Sequence, residues 1–324
     1  MLRQSYTTWQ CGTHTLSLAR PRIMGILNVT PDSFSDGGKN FDAKAAIKRG
    51  LQMLDEGADI IDVGGESTRP GHTPVDPKEE AERVVPVVRE LLKTGALVSI
   101  DTRHAEVARM CVRLGVQIIN DVSGFTDPEM VKVAADSKCG CIVMHWNKEG
   151  LGAHVERKRV ALDDSRPARP EAARSLTSQR RFTLPEEAPI MRQIMGFLGD
   201  QARILMRAGV SHDRICIDPG PGFDKFADED IVIQRATRSM VSMGYPLMCA
   251  VSRKRFVGAV SGVGTVTDRD AATQAICIAA ITNGARILRV HNVEGAAQAI
   301  NSFWAMTEKD SRQGFVALGS NVGD

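Results

Sequence analysis

A chain of 324 residues with 43% hydrophobic and 25% charged residues has the composition of a soluble globular protein, long enough for one large domain or two small ones. A net charge of +2, dispersed Lys and Arg and only 5% aromatic residues argue against nucleic-acid or anionic-membrane partners. No apolar run reaches the roughly 20 residues needed to span a bilayer, and residues 1–22 lack the apolar core of a signal peptide.

Two alternating stretches come first, at 7–11 and 13–18 around Gly12, and predict a small hairpin. Buried-strand runs then recur at 23–27, 60–63, 97–100, 116–119, 141–144, 215–217, 247–251 and 287–290. Helical spacing fills the intervals, at 42–57, 79–93, 104–114, 127–137, 190–208, 228–243, 269–284 and 293–308, and several of these segments stop at Gly. Eight buried strands alternating with eight helices predict a parallel sheet, and a length of about 250 residues favours a closed (β/α)8 barrel behind the N-terminal β-hairpin. An open doubly wound sheet is the alternative. It would need GxGxxG after its first strand, where Asn28-Val29-Thr30-Pro31 stands. The organisation expected is a hairpin at 1–21, a barrel at 22–310 interrupted by an Arg-, Glu- and Pro-rich insertion at 146–189, and a tail at 311–324. Seven cysteines without a CxxC pair, mostly inside apolar runs, predict reduced core thiols in a cytoplasmic protein.

Active sites of such barrels lie at the C-terminal strand ends. Here those ends carry Asn28, then Glu66 to Gly71, Asp101 with Thr102, Asn120 with Asp121 and Ser123, His145, Asp218, Ser252 to Arg255, and Arg289 with His291 and Asn292. Asp101–Thr102, Asp121 with Ser123, and Asn292 each also fit a helix N-cap. Caps do not account for Arg69, Lys254, Arg289 and His291. Carboxylates and an amide (Asp101, Asn120, Asp218) match the N–H edge of a flat heterocycle. Asn28, Arg69, Arg289 and His291 suit phosphate oxygens, and Lys254 can bridge the two groups. A heterocycle carrying a leaving diphosphate satisfies both halves, with Mg2+ held by the Asn28 amide and phosphate oxygens.

MGILNVTPDSFSDGG (24–38), DVGGESTRPG (62–71), SIDT (99–102), INDVSG (119–124), VMH (143–145), IDPGPGF (217–223), SRK (252–254) and RVHNV (289–293) together resemble the pterin-binding family of dihydropteroate synthases, from about residue 23 to about residue 300. The resemblance implies a transferase of folate biosynthesis, the target of sulfonamides. It would join 6-hydroxymethyl-7,8-dihydropterin diphosphate to 4-aminobenzoate and release diphosphate. It implies that Asp101, Asn120, Asp218 and Lys254 hold the pterin, with Met144 packed against it. Asn28, Arg289 and His291 would take the diphosphate and magnesium. Phe34, Asp36, Thr68, Arg69 and Pro70 would close over the site and shape the aminobenzoate pocket, with Phe223, Ser252 and Arg255 nearby. Asp101, Lys254, Arg289 and His291 would carry catalysis, by stabilising the leaving group and the developing cation in a dissociative displacement. A homodimer is implied too.

Three departures concern the second-substrate pocket: Arg255 stands where the family carries Ser, Asp224 stands where Gly is usual, and the 146–189 insertion is longer than typical. VALGSNVGD (316–324) resembles the first strand and loop of the preceding pyrophosphokinase, a possible fused partner. A pterin-binding methyltransferase half would keep Asp101, Asn120 and Asp218 but not RVH or STRPG, and an inactive paralogue would have lost Lys254, Arg69 or His291.

Overall fold

The computed structural model describes residues 6–30, 38–66, 74–146 and 184–307. Phe34, Asp36, Thr68, Arg69, Pro70, most of the 146–189 insertion and the tail lie outside the described residues. Strands β1 (Thr8–Cys11) and β2 (His14–Ser17) form the expected antiparallel hairpin. The main sheet holds β3 (Arg22–Asn28), β4 (Ile60–Gly64), β5 (Val98–Asp101), β6 (Ile118–Asp121), β7 (Gly140–Met144), β8 (Ile215–Asp218), β9 (Met248–Cys249) and β10 (Ile287–Val290).

These strands lie parallel in the order β8-β7-β6-β5-β4-β3-β10-β9. A parallel bridge from Ile217 to Leu247, with Ile217 N–H donating to Pro246 O at 2.9 Å, joins β8 to the segment of β9 and closes the ring. The (β/α)8 barrel is therefore present.

Helices α1 (Gly38–Asp55), α2 (Pro77–Leu92), α3 (Ala105–Leu114), α4 (Pro128–Asp136), α5 (Pro189–Arg207), α6 (Ala227–Arg235), α7 (Thr237–Val241), α8 (Arg255–Ser261), α9 (Asp270–Thr282) and α10 (Val293–Thr307) accompany the strands. Two of them start at side-chain caps written into the sequence. Asp76 and Asp127 cap α2 and α4 by accepting from Lys78 N and Glu129 N at 2.9 Å, each just before a Pro that needs no N–H partner. Along α2, Ala81, Val84, Val88 and Leu91 recur at helical spacing and are buried.

Three elements differ from the sequence expectation. The 228–243 helix breaks at Ala236, where Thr237 Oγ1 donates to Gln234 O at 2.7 Å and competes for a helical carbonyl. The 247–251 strand shrinks to two residues because the chain turns at once: Lys254 N donates to Val251 O and Arg253 adopts φ +58°. Helix α8 then forms from a segment with too few turns to show a period.

The barrel interior is layered. Met24, Ile60, Ile118, Ile142, Cys216, Met248 and Ile287 form an apolar floor, joined by Trp9, Cys11 and Leu18 of the hairpin region. Trp9 Nε1 donates to Arg214 O (2.9 Å) and Gly12 N to Lys138 O (2.9 Å). Arg214 directly precedes β8 and Lys138 lies two residues before β7, so the hairpin plugs the N-terminal mouth. All seven cysteines are free and buried. Two residues beyond the floor, the strand period brings Asp62, Asn120, Met144, Asp218 and Arg289 inward at the opposite mouth.

Candidate active site

Arg289 is the hub of that mouth. Its Nε donates to Asp62 Oδ2 at 2.6 Å and its Nη2 to Asp101 Oδ2. Asp62 is buried and its Oδ2 also accepts from Asn120 Nδ2 at 3.0 Å. A carboxylate cannot donate, so this contact fixes the amide of Asn120 and turns its carbonyl oxygen away from Asp62 as an acceptor. Two carboxylates share one guanidinium. Burial pushes the Asp101 carboxyl up, to about 7; Arg289 pulls it back only in part, while Asp62 and Glu80 add like charge. Burial opposes the charge on Arg289, yet Asp62 and Asp101 more than offset this and hold its value above the ordinary one.

Asp218 and Lys254 form the other side. Asp218 is buried and its Oδ1 accepts from Gly220 N at 2.8 Å. Burial raises its carboxyl and the charge of Lys254 restrains the rise. Lys254 donates from Nζ to Pro221 O and lies 4.7 Å from the centroid of Phe223, over the ring. Burial depresses its ammonium to about 8 against the pull of Asp218 and Asp230.

The loop carrying Pro221 and Phe223 is set by buried charges the sequence did not announce. Lys225 Nζ donates to Gly220 O (2.7 Å), His145 O (3.1 Å) and Phe223 O (3.1 Å), and Asp230 Oδ1 accepts from Gly222 N (2.6 Å). Gly220 has φ +62°, and a Cβ there would stand 2.1 Å from His145 O. Asp224 follows at φ +49°, which explains the family's Gly; here its Oδ2 accepts from Trp146 Nε1 at 2.7 Å. Met144 is buried at the end of β7, and Trp146 meets Phe223 edge-on with centroids 5.7 Å apart.

A cavity of about 330 Å³ opens beside this centre, lined by Ile26, Leu27, Asn28, Arg49, Met53, Arg253 and His291. Arg49 and Arg253 add two guanidinium groups to Asn28 and His291, the two residues of this wall expected from the sequence. Arg253 is gripped by Asp270 through Nε and Nη2, both at 2.7 Å. Ser252 Oγ contacts His291 Nδ1 at 2.9 Å, and Arg255 is exposed at the start of α8.

Not every strand-end polar group faces the mouth. Asp121 binds Ser123 N and Phe125 N, both at 2.7 Å, and shapes its own loop. Asn292 Oδ1 accepts from Gly295 N at 2.8 Å and caps α10. Glu66, Glu80 and His104 bring ligand atoms within 4.8 Å of one another. Both Glu66 oxygens are taken by Arg103 at 2.9 Å, and Glu80 pairs with His104 Nδ1 at 2.6 Å. Burial alone would raise the Glu66 carboxyl, but Arg103 holds it below its ordinary value, so this is an ion-pair network flanking residues 67–73.

A closed parallel barrel with buried acceptors, a lysine and an arginine-lined cavity at one mouth is a barrel enzyme that binds a polar heterocycle beside an anion. Residues 24–291 match the model of the pterin binding enzyme family. The chain is 39% identical over 279 residues to a dihydropteroate synthase of Staphylococcus haemolyticus, covering 86% of this chain and 91% of that one. Its fold is similar to the Xanthomonas albilineans dihydropteroate synthase with 4-aminobenzoic acid, with a TM-score of 0.78, 32% identity, and 93% and 98% of the two chains covered. It is also similar to that enzyme in complex with 7,8-dihydropteroate, with a TM-score of 0.75, 31% identity, and 92% and 98% covered. The chain belongs to the pterin-binding enzymes, among the dihydropteroate synthases.

Proposed function

We propose that this protein condenses 6-hydroxymethyl-7,8-dihydropterin diphosphate with 4-aminobenzoate to give 7,8-dihydropteroate and diphosphate. The observation that carries the reading is the Asp62–Arg289–Asp101 assembly, flanked by Asn120 and set at the same barrel mouth as Asp218 and Lys254. Asp101, Asn120 and Asp218 offer acceptors to the N–H groups of a pterin, and Lys254 offers a donor. Met144 supplies an apolar face. Asn28 and His291, in the adjacent cavity, take the diphosphate together with Arg289. In the reaction the methylene carbon–oxygen bond breaks, its electron pair leaves with the diphosphate, and the aniline nitrogen forms the new carbon–nitrogen bond and loses a proton. Ionised Asp101 stabilises the developing positive charge at the methylene, and the cations stabilise the departing oxygen.

Magnesium fits as a companion of the substrate. Among the described residues lining the cavity, Asn28 offers the one uncharged side-chain oxygen and no carboxylate is present, which suits an ion that arrives with diphosphate oxygens and water. When bound it would neutralise charge on the leaving group. Thr68, Arg69, Pro70, Phe34 and Asp36 complete the aminobenzoate side in this reading. A homodimer, a pyrophosphokinase partner and a cytoplasmic location belong to the same proposal. No helix among the described residues is long and apolar enough to cross a membrane.

The test is a steady-state assay with both substrates and magnesium. The reading requires dihydropteroate and diphosphate in equal amounts, with diphosphate release dependent on 4-aminobenzoate. Diphosphate release that ignores 4-aminobenzoate, or no product at all, overturns it.

A further inference from the structure

Ser252 follows β9 and His291 follows β10, so the two side chains meet across neighbouring strand ends. The backbone N–H of His291 donates to Ser252 Oγ at 3.1 Å, and the same oxygen lies 2.9 Å from His291 Nδ1. A peptide N–H only donates, so Ser252 Oγ is the acceptor in the first contact. Oγ keeps a second lone pair, but its hydroxyl proton also needs an acceptor, and among the described residues the hydrogen-bond partner left for it is His291 Nδ1, so the second contact is O–H donating to Nδ1. A neutral imidazole that accepts at Nδ1 carries its proton at Nε2.

We propose that Ser252 is a positioning residue that locks His291 in the Nε2–H tautomer, so that the ring presents a donor to the oxygens of the departing diphosphate. This rests on the function proposed above. Ser252 is 6% exposed, so water competes little for its hydroxyl. Arg49 Nη2 donates to His291 O at 3.4 Å and steadies the same residue from the backbone side. His291 lines the cavity together with Asn28, Arg49 and Arg253, a wall suited to an anion. In the other neutral tautomer Nε2 would aim a lone pair at that anion and repel it. Ser252 accordingly acts through His291, and its hydroxyl is engaged away from 4-aminobenzoate.

The experiment uses the full chain labelled with 15N. Long-range 1H–15N correlation at about pH 8.5, some two units above an ordinary imidazole, reads the tautomer, and the His291→Asn variant assigns the signals. The wild type is expected to show His291 Nδ1 unprotonated and Nε2 protonated. Ser252→Ala should move both nitrogens toward the averaged shifts of mixed tautomers. It should weaken binding of inorganic diphosphate about tenfold, the size of one lost charge-assisted hydrogen bond, and lower kcat with KM for 4-aminobenzoate unchanged. Ser252→Thr, which keeps the hydroxyl, should restore the tautomer and the affinity. A protonated Nδ1 in the wild type overturns the proposal, and this reading needs no variant to fold. So does a Ser252→Ala protein whose tautomer or diphosphate affinity stays as in the wild type. An Nε2–H pattern without condensing activity strikes the function instead and leaves the tautomer assignment standing.

Discussion

Burial brings Asp101 and Lys254 to neighbouring proton affinities from opposite directions, the acid up to about 7 and the ammonium down to about 8. If catalysis needs the ionised carboxylate and the charged lysine, kcat/KM for the pterin substrate rises as pH passes about 7 and falls above about 8. A pH–rate profile measures both limbs, and a profile flat from pH 6 to 9 contradicts the assignment. Asp101→Asn and Lys254→Ala should each reduce kcat/KM about a hundredfold or more while circular dichroism stays native. His145 gives a stability prediction. Burial and the nearby Lys225 depress its imidazole to about 3, and its Nδ1 lacks a hydrogen-bond partner among the described residues. The unfolded chain binds a proton there below about 6.5 and the native state does not. Its contribution is therefore complete above pH 6.5 and is lost as pH falls toward 3, so urea midpoints should drop between pH 7.5 and 5, and drop less in His145→Gln.

Legibility at this scale follows chemistry. Asp101, Asp218, Lys254 and Arg289 stood out because a charge terminating an apolar strand has few other reasons to be there. Asp62 is hard to read although it sits two residues after Ile60 in the same inward file, because it lies inside an apolar run and not at its end. Lys225 and Asp230 carry no sequence signal, since their partners are backbone groups brought together only by the fold.

At the scale of elements, the period of two and the period of 3.6 made eight strands and most helices readable. Where local competition decided, they did not: Thr237 splits a helix that its apolar pattern joins, and Arg253 bends a strand short. The cap alternative proves right for Asn292 alone: Asp121 holds its own loop while Asp127 caps α4, and the carboxylate of Asp101 reaches across the barrel to Arg289. Sequence spacing alone does not separate these cases, because both outcomes place an acid after a strand. The β8–α6 loop offers the sharpest test of element geometry. Gly220→Ala places a methyl group against His145 O at a φ that side chains avoid. It should raise KM for the pterin substrate severalfold or more while leaving the melting transition cooperative. An unchanged KM means that the loop does not set the pterin site.

Across the whole molecule, the barrel is built as a floor and a mouth. The hairpin closes the floor, and its anchor is Trp9, fully buried with its indole N–H on Arg214 O. Trp9→Ala removes a large apolar surface and that hydrogen bond together, and should cost about 3–5 kcal/mol in equilibrium unfolding. A loss under about 1 kcal/mol would mean that the hairpin is an ornament of the barrel and not its plug. The apolar floor in turn lets the mouth be polar, because the charges of Asp62, Asp101, Asp218, Lys254 and Arg289 need rigid strands to keep them paired.

The central claim is that this one mouth grips the pterin ring and its diphosphate together. A crystal structure with 6-hydroxymethylpterin diphosphate tests it most directly. The account predicts the ring against Asp101, Asn120, Asp218 and Lys254, with the diphosphate toward Asn28 and His291. A ring bound elsewhere, with those four side chains untouched, would contradict it.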